Sequence, residues 1–410
     1  MTLPPRIHLF QAYGVELEYM IVDRDTLDIR PIADELLKAE VGAYASDFEN
    51  GMCTWSNELV LHVIELKATK PELDFNLLLR AFEENVVRAN QVLAQWNAML
   101  LPTAAHPWMN PLAETRLWPH DSNEVYEAYN KIFDCRGHGW SNLQSTHLNL
   151  PFYDDEEFAK LHAAVRVILP LLPALCASSP ILDGAYTGSV DARLNFYRTN
   201  QQRIPSITGK VIPEAVFSKR HYFTTIYDRI KADLAPFHVD DVLDPIWVNS
   251  RGAIPRFDRG SVEIRLMDIQ ECPRADLAIQ SLVIETIKAL TEEKFAPLTE
   301  LMQQSTDTLA ALLDETTRRG HFAEIRSAAF LSIFGLAKPA TAGEVWRNIH
   351  EKLNTTGLKS WHQEINTIVA NGTLAHRIMQ SLNGDFSRPS LAACYHSLAR
   401  CLAENKLFTP

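Results

Sequence analysis

The clearest pattern in the chain is the alternation across residues 14–22, Gly-Val-Glu-Leu-Glu-Tyr-Met-Ile-Val. Val15, Leu17, Tyr19 and Ile21 fall in one register, Glu16 and Glu18 in the other. In a β-strand this period puts both carboxylates on one face, with Cα atoms about 6.5–7 Å apart. Like charges that close repel, and a dry core would reject both. A solvated sheet face and a cation site would each accept them.

Further along, residues 58–71 are rich in aliphatic and β-branched positions and read as a strand ended by Pro71. Over residues 72–100, Leu78, Phe82, Val86, Ala89, Leu93, Trp96 and Leu100 recur every three or four positions, which predicts one long amphipathic helix. Residues 100–105 read as a strand that empties into His106-Pro107-Trp108, where the proline demands an extended or turn backbone. A short helix is expected near 123–133, capped by Asp121 or Ser122. Residues 145–152 alternate again, with His147 and Asn149 on one face. Asp154 and Asp155 open an apolar helix towards Pro170, and the small-residue, Pro- and Gly-rich stretch 174–190 suits a loop. Residues 191–197 alternate as a further strand, with Arg193, Asn195 and Tyr197 on one side. A turn-rich loop carrying Arg251, Arg256 and Arg259 then leads into Ser261-Val-Glu263-Ile-Arg265-Leu-Met-Asp268, again alternating. From Asp276 onward the periodicity is helical almost throughout. There is no internal repeat. The pattern predicts an α+β fold rather than a doubly wound one. A sheet with inserted helices occupies residues 1–275, and a helical C-terminal half, 276–410, packs on it within a single domain.

Composition narrows the function. An apolar fraction of 46% with 22% charged residues suits a globular protein with a sizeable core. Its 39 basic and 51 acidic side chains leave a net charge of −12, which argues against a nucleic-acid partner. A polyanion such as ATP stays within reach if metal ions and a few placed arginines neutralise its phosphates. The six cysteines are scattered without a C-x-x-C pair. Cys135-Arg-Gly-His138 has zinc-like local spacing but no second half, so a structural thiol is expected there. The opening Met-Thr-Leu-Pro-Pro-Arg lacks the regions of a signal peptide. The most apolar run, 167–177, is broken by Pro170 and Pro173 and is far short of the ~20 residues of a membrane span. A reduced cytoplasmic setting, with no membrane partner, is the expectation.

Four strand candidates therefore carry polar groups on one face: Glu16/Glu18, His147/Asn149, Arg193/Asn195/Tyr197 and Glu263/Arg265. A plain wet face would mix in Lys, Thr and Ser, whereas these sets offer carboxylate, imidazole, guanidinium and amide without a lysine. With Glu65 added, that is an inventory for holding divalent cations beside phosphate oxygens. Each member has a blander reading too. His147 alone could be a core histidine, Glu263 and Arg265 a cross-strand ion pair, and the loop arginines mere solvation. Glu58 lies seven residues from Glu65, so the two share a face only if Glu58 precedes the strand or a bulge intervenes. The chain has no glycine-rich nucleotide motif and no serine-hydrolase elbow.

These segments also resemble a family. Gly14-Val-Glu-Leu-Glu-Tyr19, His106-Pro107, Thr146-His-Leu-Asn-Leu150, Ala177-Ser-Ser-Pro180, Ser261-Val-Glu-Ile-Arg265 and Asn371-Gly-Thr-Leu-Ala-His-Arg377 occur in the order seen in carboxylate–amine ligases of the glutamate–cysteine ligase type 2 group. The resemblance implies a curved antiparallel sheet of the glutamine synthetase/guanidino kinase type, forming a half-funnel. It implies an enzyme that phosphorylates a carboxylate with ATP and lets an amine displace the phosphate, placed in glutathione biosynthesis. The implied partners are glutamate as the acid and cysteine as one candidate amine, with a homodimer allowed. By motif, Glu18 and Glu65 would hold one Mg²⁺ with Glu58 as a third ligand, and Glu16, His147 and Glu263 another; Mn²⁺ would be an acceptable substitute. Arg265 would contact the transferred phosphoryl group, Arg193 that group or the substrate carboxylate, and Asn149 would join both on the nucleotide side. Two other readings stay open: a relative that binds a nucleotide or metabolite without turnover, and a ligase for another acid or amine.

Overall fold

The computed structural model describes residues 6–121, 123–239, 242–353 and 356–410. The opening residues 1–5, read above as lacking the regions of a signal peptide, and Ser122, a candidate helix cap, lie outside them. The E-x-E segment is a strand, β1 (Gly14–Asp23), at the centre of an open antiparallel sheet. The other strands are β2 (Asp47–Asn50), β3 (Cys53–Asn57), β4 (Val63–Ala68), β5 (Ala98–Leu101), β6 (Ser145–Pro151), β7 (Ala253–Arg256) and β8 (Ser261–Asp268). Their order is β2-β3-β4-β1-β6-β8-β7. On one edge of β1 lies β4; on the other, β6 pairs its first half and β5 its second.

Alternation sorts the two faces. Leu17, Tyr19, Ile21, Ile64, Leu66, Leu148, Leu150, Val262 and Ile264 enter one buried core. Helices α1 (Phe75–Leu93), α2 (Asn123–Phe133), α3 (Asp155–Ile168), α4 (Ala192–Tyr197) and α5 (Pro273–Thr291) surround the sheet. Of these, α1, α3 and α5 line the apolar face, burying stripes such as Leu78, Phe82, Val86, Ala89 and Leu93. At the far end of β1, Met20, Val22 and Leu101 pack instead against the helices Leu374–Leu382 and Arg388–Glu404. The C-terminal helices thus cap one end of the polar face.

Five expectations change. The helix read over 72–100 stops at Leu93 and closes with a 3-10 turn through Trp96. Asn97 then takes φ 52°, a left-handed conformation that asparagine tolerates, and reverses the chain. Leu100 can therefore pair with Ile21, and the strand read at 100–105 is β5 at 98–101. The strand read at 58–71 forms only as β4. The strand read at 191–197 is the helix α4, because Asp191 accepts a hydrogen bond from Leu194 N (3.0 Å) and caps it. Seven residues are too few for a period of two to exclude a helix. Finally, part of the arginine loop is the edge strand β7.

Candidate active site

Strand register assembles the polar face. Glu16 sits between Lys67 and His147, Glu18 opposite Glu65, Glu65 opposite Ser56, and Asn149 between Gly14 and Glu263. His147 Nδ1 lies 2.7 Å from Glu16 Oε2, and Asn149 Nδ2 donates to Glu16 Oε1 at 3.1 Å. Glu18 Oε2 accepts from Ser145 N (2.6 Å) and Ser145 Oγ (3.0 Å), and that hydroxyl also meets His147 Nε2 at 2.9 Å. Glu65 Oε2 accepts from Lys67 Nζ (2.7 Å) and Ser56 Oγ (2.5 Å). Lys67 corrects the lysine-free reading of this face. Its alternation with Glu65 was visible in the sequence.

Carboxylates outnumber cations here, and proton affinities follow. Burial, then Glu16, pushes the Glu65 carboxyl up to about 7 despite Lys67 and Ser56. Burial, then Glu18 and Glu65, pushes Glu58 well above the carboxylate range. Burial acts the same way on Glu16, but the His147 hydrogen bond and charge outweigh it and hold Glu16 at about 2. The same contact lifts His147 to about 9 against its burial. Two carboxyls driven towards neutrality beside a third held ionised are groups that lack positive charge. Glu16, Glu65 and His147 each offer a ligand atom within 4.8 Å of the others, a separation one cation can bridge. The donor set therefore fits a divalent cation. Glu65 comes within reach of Glu16 and His147, as well as lying opposite Glu18, because β4 and β6 flank the same stretch of β1.

The remaining candidates divide. Glu58 lies before β4, in the connection from β3, and turns towards the same space, which removes the parity problem. Glu263 Oε1 holds Arg265 Nε at 3.0 Å. A bulge in β8 between Ile264 and Met267 breaks its pairing with β6 at Arg265. Arg193 is differently placed. Its Nε donates to Asp268 Oδ1 at 2.5 Å and one terminal nitrogen to Leu266 O at 2.6 Å, with the pair almost fully buried. Since α4 is a helix, Arg193 and Tyr197 share a face as i and i+4, and Asn195 turns outward to solvent. Cys135 is a buried free thiol and His138 faces Asp183, so that spacing marks no zinc site among the described residues.

A cavity of about 260 Å³ opens over this face. Glu18, Glu58, His147, Arg193 and Arg265 line its floor, and Tyr126, Tyr129, Trp140, Tyr197 and Trp247 its walls. On a scale where ~150 Å³ holds a benzene, this is room for one amino-acid-sized molecule.

The model of the glutamate–cysteine ligase family 2 matches residues 12–396, nearly the whole chain. The chain belongs to that family. An uncharacterized protein of Archaeoglobus fulgidus is 30% identical over 404 residues, 96% of this chain and 99% of its own length. A protein of Cupriavidus metallidurans with the provisional name glutamate–cysteine ligase 2 is 26% identical over 274 residues, 65% of each chain. In fold, the chain is similar to a glutamate–cysteine ligase from Francisella tularensis solved in complex with AMP. That match has a TM-score of 0.64 and 11% identity and covers 97% of this chain and 90% of the other. A bifunctional glutathione synthetase from Pasteurella multocida matches with a TM-score of 0.62 and 13% identity over 97% of this chain and 53% of its own. Both confirm the mixed architecture with an open antiparallel sheet. Among the described residues of this family member, no helix is long and apolar enough to cross a membrane.

The aromatic wall escaped the sequence reading, since Tyr126, Tyr129 and Trp140 lie on and after a helix whose apolar stripe looks like ordinary core. Ser145 and Ser56 escaped it too, because a strand serine carries no signal until its partner across the sheet is known.

Proposed function

We propose that the protein is an ATP-dependent carboxylate–amine ligase of the glutamate–cysteine ligase type. Glutamate would be the acid, and cysteine or another small amine the acceptor. The observation that carries this reading is the surplus of crowded carboxylates facing Arg265 under an amino-acid-sized cavity, in a chain of a ligase family. Glu16, Glu65 and His147 would hold Mg²⁺ or Mn²⁺, with Glu18, Glu58 and Glu263 around them. When bound, such an ion would offset negative charge during phosphoryl transfer. Arg265, on its bulge beside Glu263, presents a planar fork to the oxygens of the phosphoryl group as it moves to the acid. A carboxylate is a poor acyl donor because oxide would have to leave; as an acyl phosphate it loses phosphate when the amine attacks. Ser145 and Asn149 fix the carboxylates in place, and the aromatic walls exclude water that would hydrolyse the intermediate.

The test is ADP release with Mg²⁺ and glutamate across a panel of amines, with the product identified by mass spectrometry. Glutamate labelled with ¹⁸O in its side-chain carboxylate should pass one labelled oxygen to phosphate, and turnover should vanish in EDTA. Unlabelled phosphate, or full turnover in chelator, would refute the route.

The same carboxylates make a stability prediction. Glu65 moves from an ordinary 4.5 up to about 7, so the stability it contributes is complete below about 4.5 and lost as pH rises through 7. His147, raised from 6.5 to about 9, loses its contribution over the next window in the same direction. Glu16, at about 2, stays ionised throughout and adds no slope. The metal-free protein should therefore lose thermal midpoint between pH 6 and 8, and saturating Mg²⁺ should raise the midpoint more at pH 8 than at pH 6. An Mg²⁺ shift that is equal, or larger at pH 6, would remove the cation from this cluster.

A further inference from the structure

The three arginines of the segment before β8 have different fates. Arg251 is buried and spent: its Nε and one terminal nitrogen grip Glu214 at 2.6 and 2.7 Å, and the other donates to Ser206 O at 3.1 Å. Arg259 is mostly exposed, with its Nε 3.8 Å from Asp258. Arg256, the last residue of β7, fits neither description. Its side chain is 11% exposed, yet its Nε and one terminal nitrogen are buried without a hydrogen-bond partner. Its nearest acids, Asp258 at 3.8 Å and Glu263 at 4.0 Å, are beyond hydrogen-bond reach. Glu263 already holds Arg265 at 3.0 Å. The guanidinium instead stacks on Trp247, 4.6 Å from the ring centroid.

Trp247 supplies the second observation. It is 64% exposed, and it lines the cavity together with Arg265 and Tyr197. The Tyr197 hydroxyl turns towards Arg265 in the same space. A buried charged donor with nothing to donate to is expensive, and native structures usually satisfy such groups with a ligand, an ion or water. An aromatic face holds the planar fork in one orientation, so little side-chain freedom remains to be lost on binding.

We infer that Arg256, held against Trp247, is an oxyanion-binding residue at the rim of this site, taking a phosphate or carboxylate group of a substrate. The inference rests on the ligase reading for the identity of that anion, though not for its existence. The phosphate would come from ATP and the carboxylate from the amino-acid substrate. Arg256 would grip a non-reacting part of the ligand, leaving the transferred group to Arg265.

The experiment compares wild type with Arg256→Gln, Arg256→Lys and Arg259→Gln as an exposed control. It reads thermal midpoint, calorimetric affinity for Mg-ATP and for glutamate, and the two KM values in ADP release. Arg256→Gln should weaken one of the two anions by about 10-fold or more, the scale of one charge-assisted hydrogen bond. Its midpoint should stay at the wild-type value, and Arg259→Gln should change nothing. A loss confined to Mg-ATP makes the bound group phosphate; a loss confined to glutamate makes it carboxylate. Arg256→Lys should recover only part of the affinity, because the stack and fork are lost. Affinities within 2-fold of wild type for both ligands overturn the inference, as does a lowered midpoint with unchanged affinities, which would make the stack structural. Should no amine support turnover while Arg256→Gln still weakens one anion, the ligase reading falls and the anion site stands. If the wild type binds neither ligand, both fall.

Discussion

Replacing Arg265 by lysine should lower kcat by about 10²-fold or more, the scale for losing one donor to a transition state, while the thermal midpoint stays where it is. The side chain is half-buried, lines the cavity and is held 3.0 Å from Glu263. Burial alone would weaken its charge, but Glu263 and its other neighbours hold the proton more firmly than usual. Lysine keeps that charge and loses the planar, two-pronged geometry that fits phosphoryl oxygens. A surface ion pair would predict something else: about 0–1 kcal/mol of stability and almost no change in turnover. Steady-state ADP release beside a melting curve separates the two. Near-normal kcat in the lysine variant would return this strand to an ordinary wet face.

The second large effect is on the fold itself. Arg193→Met should destabilise the protein by about 3–5 kcal/mol, because it leaves Asp268 buried and unpaired. Asp268 is fully buried, and its second oxygen already takes Ser178 N at 2.8 Å and Ser179 Oγ at 2.9 Å. Asp191 lies close by, its carboxyl pushed well up by burial and then by Asp268, so a second uncompensated charge has nowhere to spread. Arg193→Met combined with Asp268→Leu should recover much of the loss, since removing both charges is far cheaper than removing one. Urea denaturation of the single and double variants measures this. Arg193 also holds the carbonyl of Leu266 within the β8 bulge, so loosening it should misplace Arg265 and lower kcat in whatever Arg193→Met remains folded. An Arg193→Met variant of full stability but low affinity for a substrate anion would instead make Arg193 a direct ligand contact.

Much of this site was legible in the chain, for a simple reason. Within one strand a period of two decides which side chains share a face, so Glu16 with Glu18, His147 with Asn149, and Glu263 with Arg265 could be grouped from their spacing alone. The stripe from Leu78 to Leu93 likewise marked α1, though not its end at Leu93 or the chain reversal at Asn97. Between strands the same logic fails. Placing Glu65 opposite Glu18, within reach of Glu16 and His147, depends on register, which core packing against α1, α3 and α5 selects. Glu58 was ambiguous because parity holds only inside a regular strand, and it lies outside one. Arg193 read as a ligand contact, and its buried pairing with Asp268, 75 residues away, is a property of the assembled chain. The same holds for Arg251, Arg256 and Arg259. They look alike in sequence, yet one clamps Glu214, one stacks on Trp247 and one meets solvent. Local alternation determined which groups could face the site together. Only the tertiary structure decided which of their charges are already neutralised and which are left for a ligand, because that balance is set by neighbours far apart in the sequence.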